Sequence, residues 1–339
     1  LSSVLATMLA GATPAPEPEP ENNNYKLSIM HVNDTHGNVD KFPKLMTAVK
    51  EQREKTPDTL LLHAGDVFSG TLYFNEFKGQ ADFPFLNAMK FDAMTLGNHE
   101  FDLGSSPEGH KALADFIKAV QFPVLTANVD FAKDALFTGL FSDLVSSEPE
   151  NGKIYAGMIK EINGEQVGIF GLTTAETKDI ASPGSVAFEN YIDEANKAVK
   201  AFEDKGVDKI IALTHLGYND NPAYDNDLIL AKSVPGIDII VGGHTHTQSD
   251  EPYFVDTNTV GEKKDATLIV QAYQYGDFLG TLNVEFDEQG VVVKHEGKLL
   301  KVADFADDEE GLKLLTPFKE KVDKVASSEI GVTIAEALV

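Results

Sequence analysis

The sequence predicts an α/β fold with largely parallel, buried strands, and three features predict it. Apolar runs of strand length alternate with amphipathic helical stretches. The runs are almost continuously apolar, as strands covered on both faces are. Several of them end in glycine followed by polar side chains, a pattern of strand-to-loop exits.

In chain order, "KLSIMHV", "TLLLHA", "AMTL", "PVLTANV", the pair "IYAGMIKEI" and "EQVGIFGL", then "KIIALTHLG" and "IDIIVGG" read as strands. Phe42 to Glu54, His110 to Val120 and Tyr191 to Lys205 carry helical periodicity between them. From Asp265 the texture becomes alternating and β-branched, with a turn at "DEQG", which predicts antiparallel strands and a hairpin. Asp307 to Ala326 reads as one exposed amphipathic helix, and "SEIGVTIAEALV" as apolar, strand-like sequence.

The folded part is expected to begin near Tyr25. Before it, "PAPEPEPENNN", Pro14 to Asn24, has the composition of an extended, solvated linker. "LSSVLATMLAGATPA" resembles the remainder of a secretory signal, with Ala10-Gly11-Ala12 fitting a cleavage pattern; a disordered tail is the alternative. The run is too short to span a bilayer.

At 339 residues the chain has the length of two average domains or one large α/β domain with appendages. Its 54 acidic against 28 basic residues give a formal charge of −26, and Arg53 is the sole arginine. Such a surface repels phosphate backbones and anionic lipid, which argues against nucleic-acid polymers and membranes as partners. With no cysteine, thiolate chemistry, disulfides and Cys-type zinc sites are excluded, and metal chemistry must use His, Asp, Asn or Gln.

The predicted strands end alike. "IMHV" runs into "NDTHG", "LLLHA" into "GDVFSG", "AMTL" into "GNHE", "IIALT" into "HLG" and "DIIV" into "GGHTH". Ligand crevices of open α/β sheets lie outside the carboxyl ends of the strands, so these loops are expected to converge. Together they carry Asp34, His36, Asp66, Asn98, His99, Asp102, His215, His244 and His246. That donor set suits Zn, Mn, Fe, Co or Ni ions better than Ca, with Mg possible at an oxygen-rich position. It is too large for one tetrahedral ion and about right for two ions sharing a carboxylate. Singly, each block has an ordinary reading: an Asx turn at "DTHG", a polar loop at "GHTH", a helix N-cap at Asp66. Turn chemistry gives no reason for histidine to recur at strand ends.

Other residues are read more plainly. His31 and His63 sit in apolar runs and are expected to be buried; His110 and His295 lie in polar contexts and are expected to be exposed. Ser69 reads as a loop residue near the metals, since no nucleophile elbow or P-loop is present. Tyr73, Phe74 and Phe77 are either a substrate-facing wall or core. Asn219 to Leu228 is an acidic loop, solvated or holding a weak extra cation.

The blocks "DTH", "GD", "GNHE", the histidine of "THLG", and "GHTH", in that order, resemble the calcineurin-like binuclear metallophosphoesterases. "HVNDTHG", "LLLHAGDVFSGTLYF", "GNHEFDLG" and "IVQAYQYGDFLG" are similar to its 5′-nucleotidase/UDP-sugar hydrolase branch, and the resemblance covers about Tyr25 to Val302. It implies a four-layer α/β/β/α sandwich over 25–305. A leader and linker would occupy 1–24, and 306–339 would be a linker helix and the start of a C-terminal substrate-binding domain. In this branch that second domain supplies arginines for the phosphate and an aromatic pair for the base; no arginine lies beyond Arg53.

Residue by residue, the resemblance implies Asp34, His36 and His246 at one ion, Asn98, His215 and His244 at the other, and Asp66 bridging them. His99 and Asp102 match the branch's catalytic dyad, and Glu100 is left as a support or surface residue. Two divalent ions are implied, Zn, Mn or Co first and Mg possible. The implied reaction is in-line attack of metal-bound hydroxide on a small phosphate ester, first a nucleoside 5′-monophosphate. A 2′,3′-cyclic-nucleotide phosphodiesterase, a UDP-sugar diphosphatase, a thiosulfohydrolase and a non-catalytic exported metal-binding module are the alternatives. The expected location is exported, and nothing in the sequence speaks to oligomeric state.

Overall fold

The computed structural model describes residues 23–328. The expected signal remnant, nearly all of the Pro/Glu-rich linker, and "SEIGVTIAEALV" apart from Ser328 lie outside the described residues.

Among the described residues, fifteen strands and eight α-helices follow one another. The strands are β1 Tyr25–Val32, β2 Leu60–His63, β3 Ala93–Thr95, β4 Val124–Leu125, β5 Val129–Asp130, β6 Phe141–Ser146, β7 Ile154–Ile162 and β8 Glu165–Thr173. They continue with β9 Ala187–Phe188, β10 Lys209–His215, β11 Ile239–Val241, β12 Tyr253–Thr257, β13 Lys263–Val270, β14 Phe278–Phe286 and β15 Val292–Lys301. The helices are α1 Phe42–Lys55, α2 Leu72–Phe77, α3 Phe83–Met89, α4 Lys111–Ala119, α5 Thr177–Ile180, α6 Tyr191–Glu203, α7 Asp227–Ser233 and α8 Glu309–Ala326.

Thirteen strands form one sheet in the order β12-β13-β11-β10-β8-β7-β4-β3-β2-β1-β14-β15, with β6 paired to β7; β5 and β9 form a separate two-stranded sheet. The pairs β1–β2, β2–β3, β3–β4, β8–β10, β10–β11 and β11–β13 are parallel. Antiparallel pairing of β7 with β8 joins the two parallel halves. The β7–β8 turn is Asn163-Gly164, both at positive φ (51° and 83°), the backbone that a tight two-residue hairpin requires. The expected antiparallel hairpin at "DEQG" is β14–β15, and β14 also pairs antiparallel with β1.

Strand alternation explains the layers. In β10, Ile211 and Leu213 face an inner cluster, whereas Ile210 and Ala212 face helices. In β1, Leu27 and Ile29 join that same inner cluster, whereas Met30 and Val32 face the helices of the other half. The inner cluster is built almost wholly from strand residues of both halves, so the sheet folds back on itself. One outer cluster holds residues of α1, α3, α4 and α8, the other residues of α6 and α7. Three apolar interfaces between four layers result, as the family resemblance implies.

The strands β6, β9 and β12 and the short helices α2, α3, α5 and α7 are not among the expected elements: the helices are too short for a period, and β6 and β12 are only partly buried and carry no continuous apolar run. Helix α8 is mostly exposed, but its Leu315 and Val322 are buried and Gly311 lies against Pro43 of α1. Among the described residues no helix is long and apolar enough to cross a membrane.

Candidate metal centre

Each chemistry-bearing loop leaves the carboxyl end of a strand: β1 leads to Asp34 and His36, β2 to Asp66, β3 to Asn98, and β11 to His244 and His246; His215 ends β10. Parallel pairing gathers the ends of β1, β2 and β3 in one half and those of β10 and β11 in the other, and the approach of Asp66 to His215 and of Asp34 to His246 shows that the two groups of loops meet.

Four sets of side chains among the described residues bring their donor atoms within 4.8 Å of one another: Asp34–His36–His246, His36–Asp66–His99, Asp66–His215–His244 and Glu176–Asp220–His244. Asp66 lies between the sets, its Oδ2 3.1 Å from His215 Nε2 and 3.7 Å from His36 Nε2. Asp34 Oδ1 stands 3.2 Å from His246 Nε2 and 3.8 Å from both His36 and His215. Asn98 immediately precedes His99, whose N–H donates to Asp66 Oδ1 at 2.9 Å.

Rings and carboxylates are held from behind. His36 Nδ1–H donates to the Phe68 carbonyl at 3.0 Å and His215 Nδ1–H to that of Ala64 at 2.6 Å, which turns each Nε2 inward. Asp34 Oδ2 accepts from Asn33 Nδ2 and from the His244 N–H. Glu100, buried, accepts the N–H groups of Asp66, Val67, Phe68 and Gly97, tying the loops after β2 and β3 into one body. A Cβ on Gly97 would stand 2.1 Å from Asp66 Oδ1, so only glycine allows that approach.

Backbone strain concentrates here. Asp34, His36, Asp66, His244 and His246 all adopt left-handed φ, between 47° and 77°. Such conformations cost about 1–3 kcal/mol each and persist only where the surroundings enforce them.

The charge distribution calls for a cation. Asp34 Oδ1, Asn98 Oδ1 and His215 Nε2 are buried and make no aligned hydrogen bond, although His246 Nε2 stands 3.2 Å from the first and Asp66 Oδ2 3.1 Å from the last, a costly condition for three polar atoms in one place. Burial alone would lower the His215 pKa, yet Asp66 and Asp34 overcome it and raise it. The histidines in turn hold Asp66 well below the usual carboxylate range despite its burial. A field strong enough to draw positive charge onto a buried imidazole suits divalent ions, and the donor set fits them.

His99 stands at the mouth, its ring edge-on to His36 with centroids 5.0 Å apart. Its Nδ1 lies 2.6 Å from Asp102 Oδ2. Ser69, expected as a loop residue near the metals, donates its hydroxyl to that same oxygen at 2.5 Å.

All nine expected site residues therefore gather in one region, and several neighbours add to them. His244 Nε2 faces Asp220 Oδ2 at 3.3 Å and Glu176 Oε2 at 3.6 Å. Neither carboxylate was singled out, although Asp220 falls in the Asn219–Leu228 loop. That loop is not simply solvated: Asp225, Asn226 and Asp227 are buried. His31 and His63 are buried as expected, and burial lowers the pKa of each to about 3. His63 bridges the first two loops, through Thr35 Oγ1 at one nitrogen and the Gly65 N–H at the other. His110 contradicts the expectation of exposure. It is 2% exposed, bonded to Asp134 and the Ser182 carbonyl and packed on Phe101, because distant segments cover a locally polar stretch. Tyr73 and Phe74 are core.

The chain belongs to the calcineurin-like phosphoesterase family, whose profile matches residues 27–248. Calcineurin-like phosphoesterases use a binuclear metal centre. It is 38% identical over 327 residues to the trifunctional nucleotide phosphoesterase protein YfkN of Bacillus subtilis, covering 91% of this chain and 22% of that one. To human 5′-nucleotidase it is 31% identical, covering 91% of this chain and 55% of the relative. The solved 5′-nucleotidase precursor of Thermus thermophilus superposes with a TM-score of 0.76 at 33% identity, over 90% of this chain and 61% of that one. The chain thus spans a part of each of these relatives.

Proposed function

We propose that this chain is the metal-bearing catalytic part of a phosphohydrolase that removes the 5′-phosphate from nucleotides. Asp34, His36 and His246 would hold one ion, Asn98, His215 and His244 the other, with Asp66 shared. The observation that carries the reading is the trio of buried ligand atoms without an aligned hydrogen bond, Asp34 Oδ1, Asn98 Oδ1 and His215 Nε2, set around Asp66. Zn, Mn or Co fit a mixed imidazole and carboxylate set best, and Mg fits less well.

When bound, the ions supply Lewis acidity and make a water acidic enough to lose its proton near neutral pH. The chain's own residues then orient and neutralise. His99, kept cationic by Asp102, balances charge on the phosphoryl group and gives a proton to the departing alkoxide. Ser69 holds Asp102 in place for this. Arg53 takes no part: its guanidinium donates to the Met89 and Lys90 carbonyls, beyond the opposite ends of the strands. Nucleotide specificity is assigned to the 5′-nucleotidase class by likeness to relatives of that name. An exported location goes with the leader-like start of the sequence.

Turnover of AMP and p-nitrophenyl phosphate, read as released phosphate, and of 2′,3′-cyclic AMP and UDP-glucose, read as the nucleoside monophosphate formed, with Mn²⁺ or Zn²⁺ added, tests the proposal. AMP is expected to be turned over fastest, and Asp66→Asn to abolish turnover. Two bound ions with no hydrolysis of any ester would instead make this a metal-binding module.

A further inference from the structure

Tyr275 is an exposed aromatic, 37% accessible, held in a strained backbone beside the candidate centre. Its ring centroid lies 5.8 Å from that of His36 and 6.0 Å from that of His246. It therefore borders the Asp34–His36–His246 side, whereas His99 borders His36 from its own loop.

The presentation of this ring is built. Tyr275 has φ 57° and Tyr273 φ 63°, left-handed values that bulky residues avoid unless the surroundings impose them. Two residues of the first loop impose them here. Asn33 accepts the Ala272 N–H at 2.7 Å and donates to the Tyr273 carbonyl at 2.6 Å, and the Asp34 carbonyl accepts the Tyr275 N–H at 2.7 Å. Tyr273 turns its ring onto Phe278, but Tyr275 turns its own outward. Lys41 sits 5.7 Å from the Tyr275 centroid and is itself tied to Asp277 at 2.5 Å. A fold that needed only a turn here would use glycine or asparagine at such φ.

We propose that Tyr275 is the leaving-group platform of this domain: its ring packs against the organic group of a phosphate ester whose phosphate lies at the metal centre, favouring planar groups such as a nucleobase or phenyl ring. The inference rests on reading the centre as a phosphate-ester site and adds a specificity residue to it. Stacking on one aromatic face discriminates planar from small aliphatic groups without touching the chemistry at phosphorus.

The test is calorimetric binding of phenylphosphonate and methylphosphonate, neither of which can be hydrolysed, to the Mn²⁺-loaded chain. Wild type is expected to prefer phenylphosphonate by roughly tenfold. Tyr275→Ala should erase the preference while methylphosphonate affinity and metal content stay unchanged, and Tyr275→Phe should restore it. An equal loss for both ligands in Tyr275→Ala, a preference that survives the substitution, or a wild type with no preference overturns the inference. Absent hydrolysis with an intact preference would sink the activity reading alone.

Discussion

His99 Nδ1 lies 2.6 Å from Asp102 Oδ2, and the Ser69 hydroxyl donates to that same oxygen at 2.5 Å. The hydrogen bond to Asp102 raises the His99 pKa to about 9 against the opposing effect of burial, with Asp66 adding to it. In the metal-free chain His99 thus carries its proton at neutral pH; bound cations oppose that rise, and a rate that needs the proton falls as pH rises through the pKa of the loaded protein. In metal-free protein, a ring-proton titration by NMR should place His99 near that value and show it falling toward the ordinary 6.5 in Asp102→Asn. In loaded protein the alkaline limb of the rate should move to lower pH in the same variant. His99→Ala should keep both ions yet lose about 10²–10⁴-fold in rate. Unchanged kinetics would remove His99 from the reaction.

Asp66 Oδ2 lies 3.7 Å from His36 Nε2 and 3.1 Å from His215 Nε2, whereas Asp34 Oδ1 comes no nearer than 3.8 Å to His215. Elemental analysis should find two ions per chain in wild type and at most one in Asp66→Asn. Ions that bind only the folded state stabilise it, by about 2.7 kcal/mol for each site held at a hundredfold excess over its Kd. Chelation should therefore lower the melting temperature of wild type clearly and that of Asp66→Asn less. Equal shifts would deny Asp66 its shared place.

Much of the centre was legible in the sequence because its donors sit within a few residues of strand ends, where an apolar run and the polar loop after it are read together. Parallel pairing gathers the donors of each half together, whereas the meeting of the two halves across the antiparallel β7–β8 pair depends on the sheet folding back on itself. Relationships across long separations were not legible. Glu176 reaches His244 from the loop after β8, and Tyr275 reaches His36 from the loop after β13. His110 failed for the same reason: its neighbours in sequence are polar, but Phe101 and Phe137 reach it from elsewhere in the chain. Glu100 is the instructive middle case. Its place in "GNHE" was noticed, but four N–H groups converging on it from two loops leave no local trace.

Those four N–H groups make Glu100 costly to remove. Glu100→Ala strands buried donors of Asp66, Val67, Phe68 and Gly97, and urea unfolding should show a loss of roughly 2–5 kcal/mol. Glu100→Gln keeps one accepting oxygen but turns an amide NH₂ toward N–H groups, so it should lose stability and metal together, though less than alanine. A glutamine variant with wild-type stability and two ions would show that the charge at this position is dispensable.

Asp82 offers a pH test away from the centre's donor atoms. It is fully buried with neither carboxylate oxygen partnered, and burial, helped by the nearby charge of Glu100, raises its pKa well above the ordinary value. The native state therefore keeps a proton that the unfolded chain has already released. Above the unfolded pKa of 3.8 and up to the raised native one, this group makes stability fall as pH rises, by about 1.4 kcal/mol per pH unit. Asp82→Asn removes the titration while keeping the backbone bonds that the Asp82 carbonyl accepts from Phe85 and Leu86 at the start of α3. Urea unfolding of wild type and variant at pH 5 and pH 8 should give the variant a growing advantage at the higher pH. A constant difference across that range would mean that the buried acid is ionised in the folded protein and finds compensation elsewhere.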